Sequence, residues 1–171
     1  MNTLLTFSTV IFFSLISSAR ATKFAAPEDE EVKSPNGRYL LHINAKSGQH
    51  EVREGTKVLW SFKKDVWHNN YSVSNDGKHV LWVAWTFVKA EDIKTEALTV
   101  YSSEGVVLKK TYAELGTPRR YRDDEIGPIG DFWRIWRGKV TRKEEVISID
   151  VEGREKPFEI DFSKIEELRK N

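Results

Sequence analysis

The stretch Asp65-Val66-Trp67-His68-Asn69-Asn70 places a carboxylate, an imidazole and two amides within six residues. Those types supply an acid, a base near neutral pH and polar groups to orient a substrate. His68 is therefore the functional candidate among the four histidines; His42, His50 and His79 read as structural or surface groups. No two histidines stand four apart, and there is no His-Glu-x-x-His, so no helical zinc site is expected. A hydrolase would pair the Asp65–His68 loop with a carboxylate such as Asp131. There is no Gly-x-Ser-x-Gly elbow and no phosphate-cradling glycine loop. The chain has no cysteine, which removes disulfides, thiolate nucleophiles, thiolate-held zinc and iron–sulfur clusters. No metal and no cofactor is expected.

Binding chemistry is better represented. Six tryptophans are present, and Trp82/Trp85 and Trp133/Trp136 are each three apart. In a strand, that spacing sends the two rings to opposite faces. Both faces are then covered, or an aromatic platform stays open for a sugar or a protein. Arg119-Arg120-Tyr121-Arg122 is a basic cluster in the long aperiodic segment Gly116–Gly130, offset at once by Asp123-Asp124-Glu125. Net charge is only +1, without the one-sided basic excess of a nucleic-acid binder. The candidate binding residues are Trp67, His68, Arg119, Arg120, Tyr121, Arg122, Trp133 and Trp136.

The N-terminus reads as an address. Residues 4–16 are uncharged and largely apolar, too short to span a bilayer and suited to a signal-peptide core. Ala19 and Ala21 place cleavage after Ala21, leaving 150 residues with 26 basic and 26 acidic side chains. The product would be periplasmic or secreted, with no membrane span. Residues 22–34 read as a solvated acidic linker and 35–171 as one β domain.

Period-two alternation dominates that domain. Strands are expected over 39–43, 49–53, 57–62, 80–88, 96–102, 106–112, 132–140, 145–151 and 157–162, with one helical turn near 111–115. Ser163-Lys164-Ile165-Glu166 is a capping-box pattern that predicts a short helix over 164–169.

Two segments repeat. Ser34-Pro35-Asn36-Gly37-Arg38-Tyr39-Leu40-Leu41 matches Ser74-Asn75-Asp76-Gly77-Lys78-His79-Val80-Leu81 at a spacing of 40 residues. In each, Asx-Gly makes a tight turn and the following residues enter a buried strand. These turns resemble the Ser-Pro-Asp-Gly-Lys/Arg-Tyr turns of bacterial TolB-like β-propeller repeats. The layout also resembles small exported bacterial proteins of uncharacterised function. The resemblance implies blade-like sheets and lends no catalytic residue. A propeller needs roughly four to eight blades, and this chain holds two clear repeats and room for a third. The expected fold is all-β, with two or three antiparallel blade-like sheets as a partial propeller or sandwich and a short C-terminal helix. The expected function is an exported, non-catalytic module that binds a protein partner or itself. Alternatives are a carbohydrate- or cell-wall-binding module using exposed Trp, and a hydrolase using the Asp65–His68 loop.

Overall fold

A computed structural model describes residues 28–65, 70–84, 87–89, 92–116, 119–120, 132–134 and 140–168. The expected signal peptide lies outside the described residues, as does residue range 22–27 of the expected linker. The rest of that linker is not all solvated: Glu30–Lys33 forms β1. It pairs with β2 (Tyr39–Ile43), and the backbone partner outweighs the poor strand propensity of two glutamates.

The first sheet is the antiparallel meander β1-β2-β3-β4, where β3 is Gln49–Glu54 and β4 is Lys57–Lys63. The second sheet begins with β5 (Asn70–Val73) and β6 (His79–Val83). The expected long strand 80–88 is divided, because β7 (Phe87–Lys89) leaves for another sheet. β8 (Glu96–Ser102) and β9 (Gly105–Thr111) then complete the order β5-β6-β8-β9. The helical turn α1 (Tyr112–Leu115) starts on a capping box. The Thr111 hydroxyl accepts from Glu114 N–H, and the Glu114 carboxylate accepts from Thr111 N–H.

β10 (Arg119–Arg120) and β11 (Phe132–Arg134) join β7 in a small sheet of order β10-β11-β7. The third larger sheet is β12 (Thr141–Lys143), β13 (Val146–Ile149) and β14 (Phe158–Asp161). Of the strand expected over 132–140, residues 132–134 form β11 and 135–139 lie outside the described residues, while β12 begins at Thr141 in a different sheet. A 3-10 turn (Phe162–Lys164) and α2 (Ile165–Leu168) follow. The cap there is Asp161, whose side chain accepts from Ser163 N–H at 3.0 Å, two residues earlier than the capping-box pattern suggests. All-β with a short C-terminal helix is the observed class.

The second sheet lies between the other two. Register and alternation put Val73, Val80 and Trp82 on one face of it, and His79, Leu81 and Val83 on the other. Val73 and Val80 pack with Tyr39, Leu41, Ile43 and Val52 of the first sheet. Leu81, Val83, Leu98 and Val100 pack with Ile147, Ile149 and Ile160 of the third. This explains why β6 is buried at every position while β2 alternates. A strand covered on both faces needs a continuous apolar run; a strand covered on one does not. Leu81 has no exposed surface, and truncating it to Ala would cost about 2–5 kcal/mol.

The outward faces of the stack are mostly polar, with Leu40 and Val58 on the first sheet and Val146 on the third as apolar exceptions. Leu40, His42, Glu51, Arg53 and Ser61 share the outer face of the first sheet, where Arg53 pairs with Glu51 at 2.5 Å. Thr141, Lys143, Ser148 and Glu159 share that of the third.

Candidate functional site

Two polar constellations cross the sheet boundaries. The first joins the first and second sheets beside the Asp65–His68 loop. His50 on β3 has no exposed surface and stands between two aromatics, Phe62 at 5.1 Å and Tyr71 at 5.3 Å, both edge-on. Its Nε2 shares a hydrogen bond of 3.1 Å with the Tyr71 hydroxyl. Tyr71 also donates to the Asp65 carbonyl at 3.4 Å. Burial pushes the His50 imidazolium down, outweighing the help of the Lys64 backbone. Burial likewise pushes the Tyr71 phenol up. The pair is therefore neutral near pH 7, and it anchors the start of the loop.

Next to it, Lys64 lies 3.7 Å over the Trp82 ring and 3.0 Å from Glu96 Oε1. Lys109 approaches the other carboxylate oxygen at 3.4 Å, and the Thr99 hydroxyl donates to Oε1. Burial works to raise the Glu96 carboxyl, but the Thr99 and Lys64 hydrogen bonds and the two ammonium charges hold it below its ordinary range. A carboxylate so clamped is a fastener between β4 and β8, unsuited to donate a proton near neutral pH. Phe62 stacks on Tyr101 at 4.5 Å across the same boundary. Burial pushes the Tyr101 phenol up to about 12.

The second constellation is a row of turns. In the first, the Ser34 hydroxyl accepts from Tyr39 N–H at 3.0 Å, Asn36 Oδ1 accepts from Arg38 N–H at 3.0 Å, and the Ser34 carbonyl accepts from Gly37 N–H at 2.9 Å. The second repeats all three: His79 N–H to Ser74 Oγ at 3.0 Å, Lys78 N–H to Asp76 Oδ1 at 2.9 Å, and Gly77 N–H to the Ser74 carbonyl at 3.1 Å. The turns then bond to each other. Asn36 N–H donates to Asn75 Oδ1 at 2.8 Å, and Asn36 Nδ2 donates to the Asn75 carbonyl at 2.7 Å. Asn75 N–H in turn donates to Glu145 Oε1 at 2.8 Å, in the tight turn between β12 and β13. Three turns, each joining the first two strands of one of the three larger sheets, thus form one hydrogen-bonded row. Pro35 occupies the place of Asn75 in the first turn; it has neither a side-chain amide nor an N–H, so the row stops there.

Side chains below the row tie the sheets more closely. Trp60 Nε1 donates to the Gly77 carbonyl at 2.8 Å. His79 stacks on Phe162 and stands 3.4 Å from Glu166 of α2. Arg154 Nη1 donates to the Leu115 carbonyl at 3.0 Å, joining the third sheet to α1.

Of the residues singled out from the sequence, Trp67, His68, Tyr121, Arg122, Asp131 and Trp136 lie outside the described residues. Arg119 and Arg120 form β10, and Trp133 is central in β11, where it pairs with Arg120 on one side and Val88 on the other. The backbone thus brings Arg119, Arg120 and Trp133 into one sheet. Asp65 is exposed. Lys64, Glu96, Thr99 and Lys109 were not singled out, and their separation along the chain gives no local motif to find them by. No group of three or more metal-ligating side chains occurs among the described residues. Nor is any helix among them long and apolar enough to cross a membrane.

No protein-family model matches the chain, and no curated protein does. A solved structure described as a crystal structure of the eukaryotic initiation factor is similar over 83% of this chain and 46% of that one, at 15% identity and a TM-score of 0.39. The chain therefore spans less than half of that structure's length, and a likeness this low does not bear on what it does.

Proposed function

We propose that the chain is an exported, non-catalytic, propeller-like β module that binds a protein partner. One observation carries the reading. Among the described residues the large apolar side chains left exposed, Val58, Leu59 and Val106, lie on the strands that edge the first two sheets. Adjacent exposed apolar groups on an edge strand, as Val58 and Leu59 are on β4, favour protein contact. Two features support it. The titratable groups between the sheets are committed to one another, as His50 is to Tyr71 and Glu96 to Lys64. The matching hydrogen bonds of turns 40 residues apart favour the blade-like repeat suggested by the sequence, and the leader-like first 21 residues favour export.

The test is a photo-crosslinking amino acid placed at Leu59 in the producing cell, with the exposed Glu104 position as control. A discrete adduct from position 59 and none from position 104 is expected. Turnover of an ester or glycoside panel that is lost in His68→Ala, with no adduct, would replace this reading with the hydrolase. Charge reversal at Arg119 and Arg122 then reports whether the loop shares in the contact.

A further inference from the structure

We propose that β4 accepts an extended, acidic segment of a protein partner as a fifth strand of the first sheet. This rests on the protein-binding reading above and names the class of partner. β4 is seven residues long and, among the described residues, pairs with β3 on one side only, which leaves the backbone N–H and C=O groups of its other side without a strand partner there. Val58 is 46% and Leu59 37% exposed on this strand. The corresponding edge strand of the second sheet, β9, carries one large exposed apolar residue among the described residues, Val106.

Lysines stand at both ends of the open edge. Among the described residues neither Lys57 nor Lys63 has a carboxylate partner, whereas the neighbouring Lys64 and Lys109 are both held by Glu96. These two charges select the occupant. A second copy pairing antiparallel about Trp60 would bring Lys57 of one strand and Lys63 of the other to each end of the pair with no carboxylate between them, an unfavourable gathering of like charge even though the register shift puts the two lysines on opposite faces. A foreign strand with carboxylates at both ends instead meets an ammonium group at each. Between them it gains main-chain hydrogen bonds and an apolar neighbour in Val58. Val58 and Leu59 stand at a register shift against Val52 and Arg53. Such bulges bend and twist an edge, which discourages flat, indiscriminate pairing and leaves the end charges to choose the partner.

The experiment is selection of a random nine-residue peptide library on the full chain and, in parallel, on Lys57→Glu/Lys63→Glu. The intact protein should enrich peptides with carboxylates at both ends and β-branched or aromatic residues between. They should slow hydrogen exchange at the 58–62 amides. Their affinity should fall at least about tenfold on the charge-reversed protein, which should instead enrich lysine-ended peptides. That swap also shows that the variant is folded. Enrichment without an acidic bias, protection elsewhere, unchanged affinity on the variant or no enrichment at all would overturn the proposal. A cross-linked adduct at Leu59 together with no acidic binders would leave the binding-module reading standing and remove strand addition alone; no adduct and no binders would remove both.

Discussion

In the first repeated turn, Gly37 faces solvent, with nothing within 4 Å of the place where a Cβ would stand. In the second, Gly77 is buried, and a Cβ there would overlap the Tyr39 ring, standing 2.8 Å from both Cε1 and Cγ. Their backbones have nearly the same left-handed φ, 69° and 68°, and their internal hydrogen bonds are matched one for one. What differs is position in the stack. The first turn ends the row at Pro35, while the second is held from both sides, by Asn36 and by Glu145. A motif repeated in sequence thus makes identical local structure twice, and packing decides which copy carries the joint between sheets.

Substituting the two glycines breaks the symmetry most sharply. Gly77→Ala adds a steric clash to the left-handed backbone cost and should destabilise the protein by at least ~3 kcal/mol. Gly37→Ala carries the backbone cost alone, ~1 kcal/mol. Urea denaturation of the two variants should show a midpoint loss several times larger for Gly77→Ala. Equal losses would mean that the Tyr39 ring does not bear on the second turn.

Replacing the turn serines should affect the two sites alike. Ser34 and Ser74 are both buried, and each hydroxyl accepts the N–H that opens the next strand. Ser34→Ala and Ser74→Ala each leave a buried N–H short of a partner, at about 1–3 kcal/mol. Thermal unfolding of the pair checks the expected near-equality.

A smaller effect is expected in the bonds between the turns. Each bond joins one turn's side chain to the other's backbone, so Asn75→Ala removes the acceptor of the first alone and should cost about 0.5–1 kcal/mol in thermal unfolding, the bond being exposed to water. Asn36→Ala removes the second bond and the acceptor for Arg38 N–H with it, and should cost more; no loss in Asn75→Ala would show that the row adds nothing between the first two sheets.

The least effect is a difference in pH response. Asp76 stands where the first turn has Asn36. Burial works to raise its carboxyl, but the Ser74 hydroxyl and the Lys78 N–H hold it below the ordinary range. A depressed folded pKa adds stability that is present above the unfolded value near 4 and lost as pH falls through the folded one. Asp76→Asn should flatten the acid limb of a stability–pH profile below about pH 4, whereas Asn36→Asp should steepen it.

Much of this fold was legible because its signals are local. Ser-x-Asx-Gly marks both turns, and the unbroken apolar run of β6 against the alternation of β2 identifies the central layer. The elements that escaped are short and polar. Glu30–Lys33 becomes a strand only because β2 offers a partner. The third turn, Glu144–Glu145, carries no serine or glycine; Glu144 itself takes the positive φ of 53°. Of the site, the loop before Asn70 was legible as polar and its anchoring was not, since His50 and Tyr71 are brought together only by stacking of the sheets. Lys57 opens the strand expected over 57–62 and Lys63 falls just past it, and their meaning follows from β4 being an edge that runs on to Lys63.

The three-layer stack is finished against itself: mostly polar outer faces, a turn row ended by Pro35, and an edge strand whose lysines oppose self-pairing. The most direct measurement is the solution mass of residues 22–171 by light scattering across a wide concentration range. A monomer throughout is the expected result, with the β4 edge open to a different protein. A dimer or larger assembly that Lys57→Glu or Lys63→Glu alters would contradict it, because the edge would then be serving a second copy of the chain.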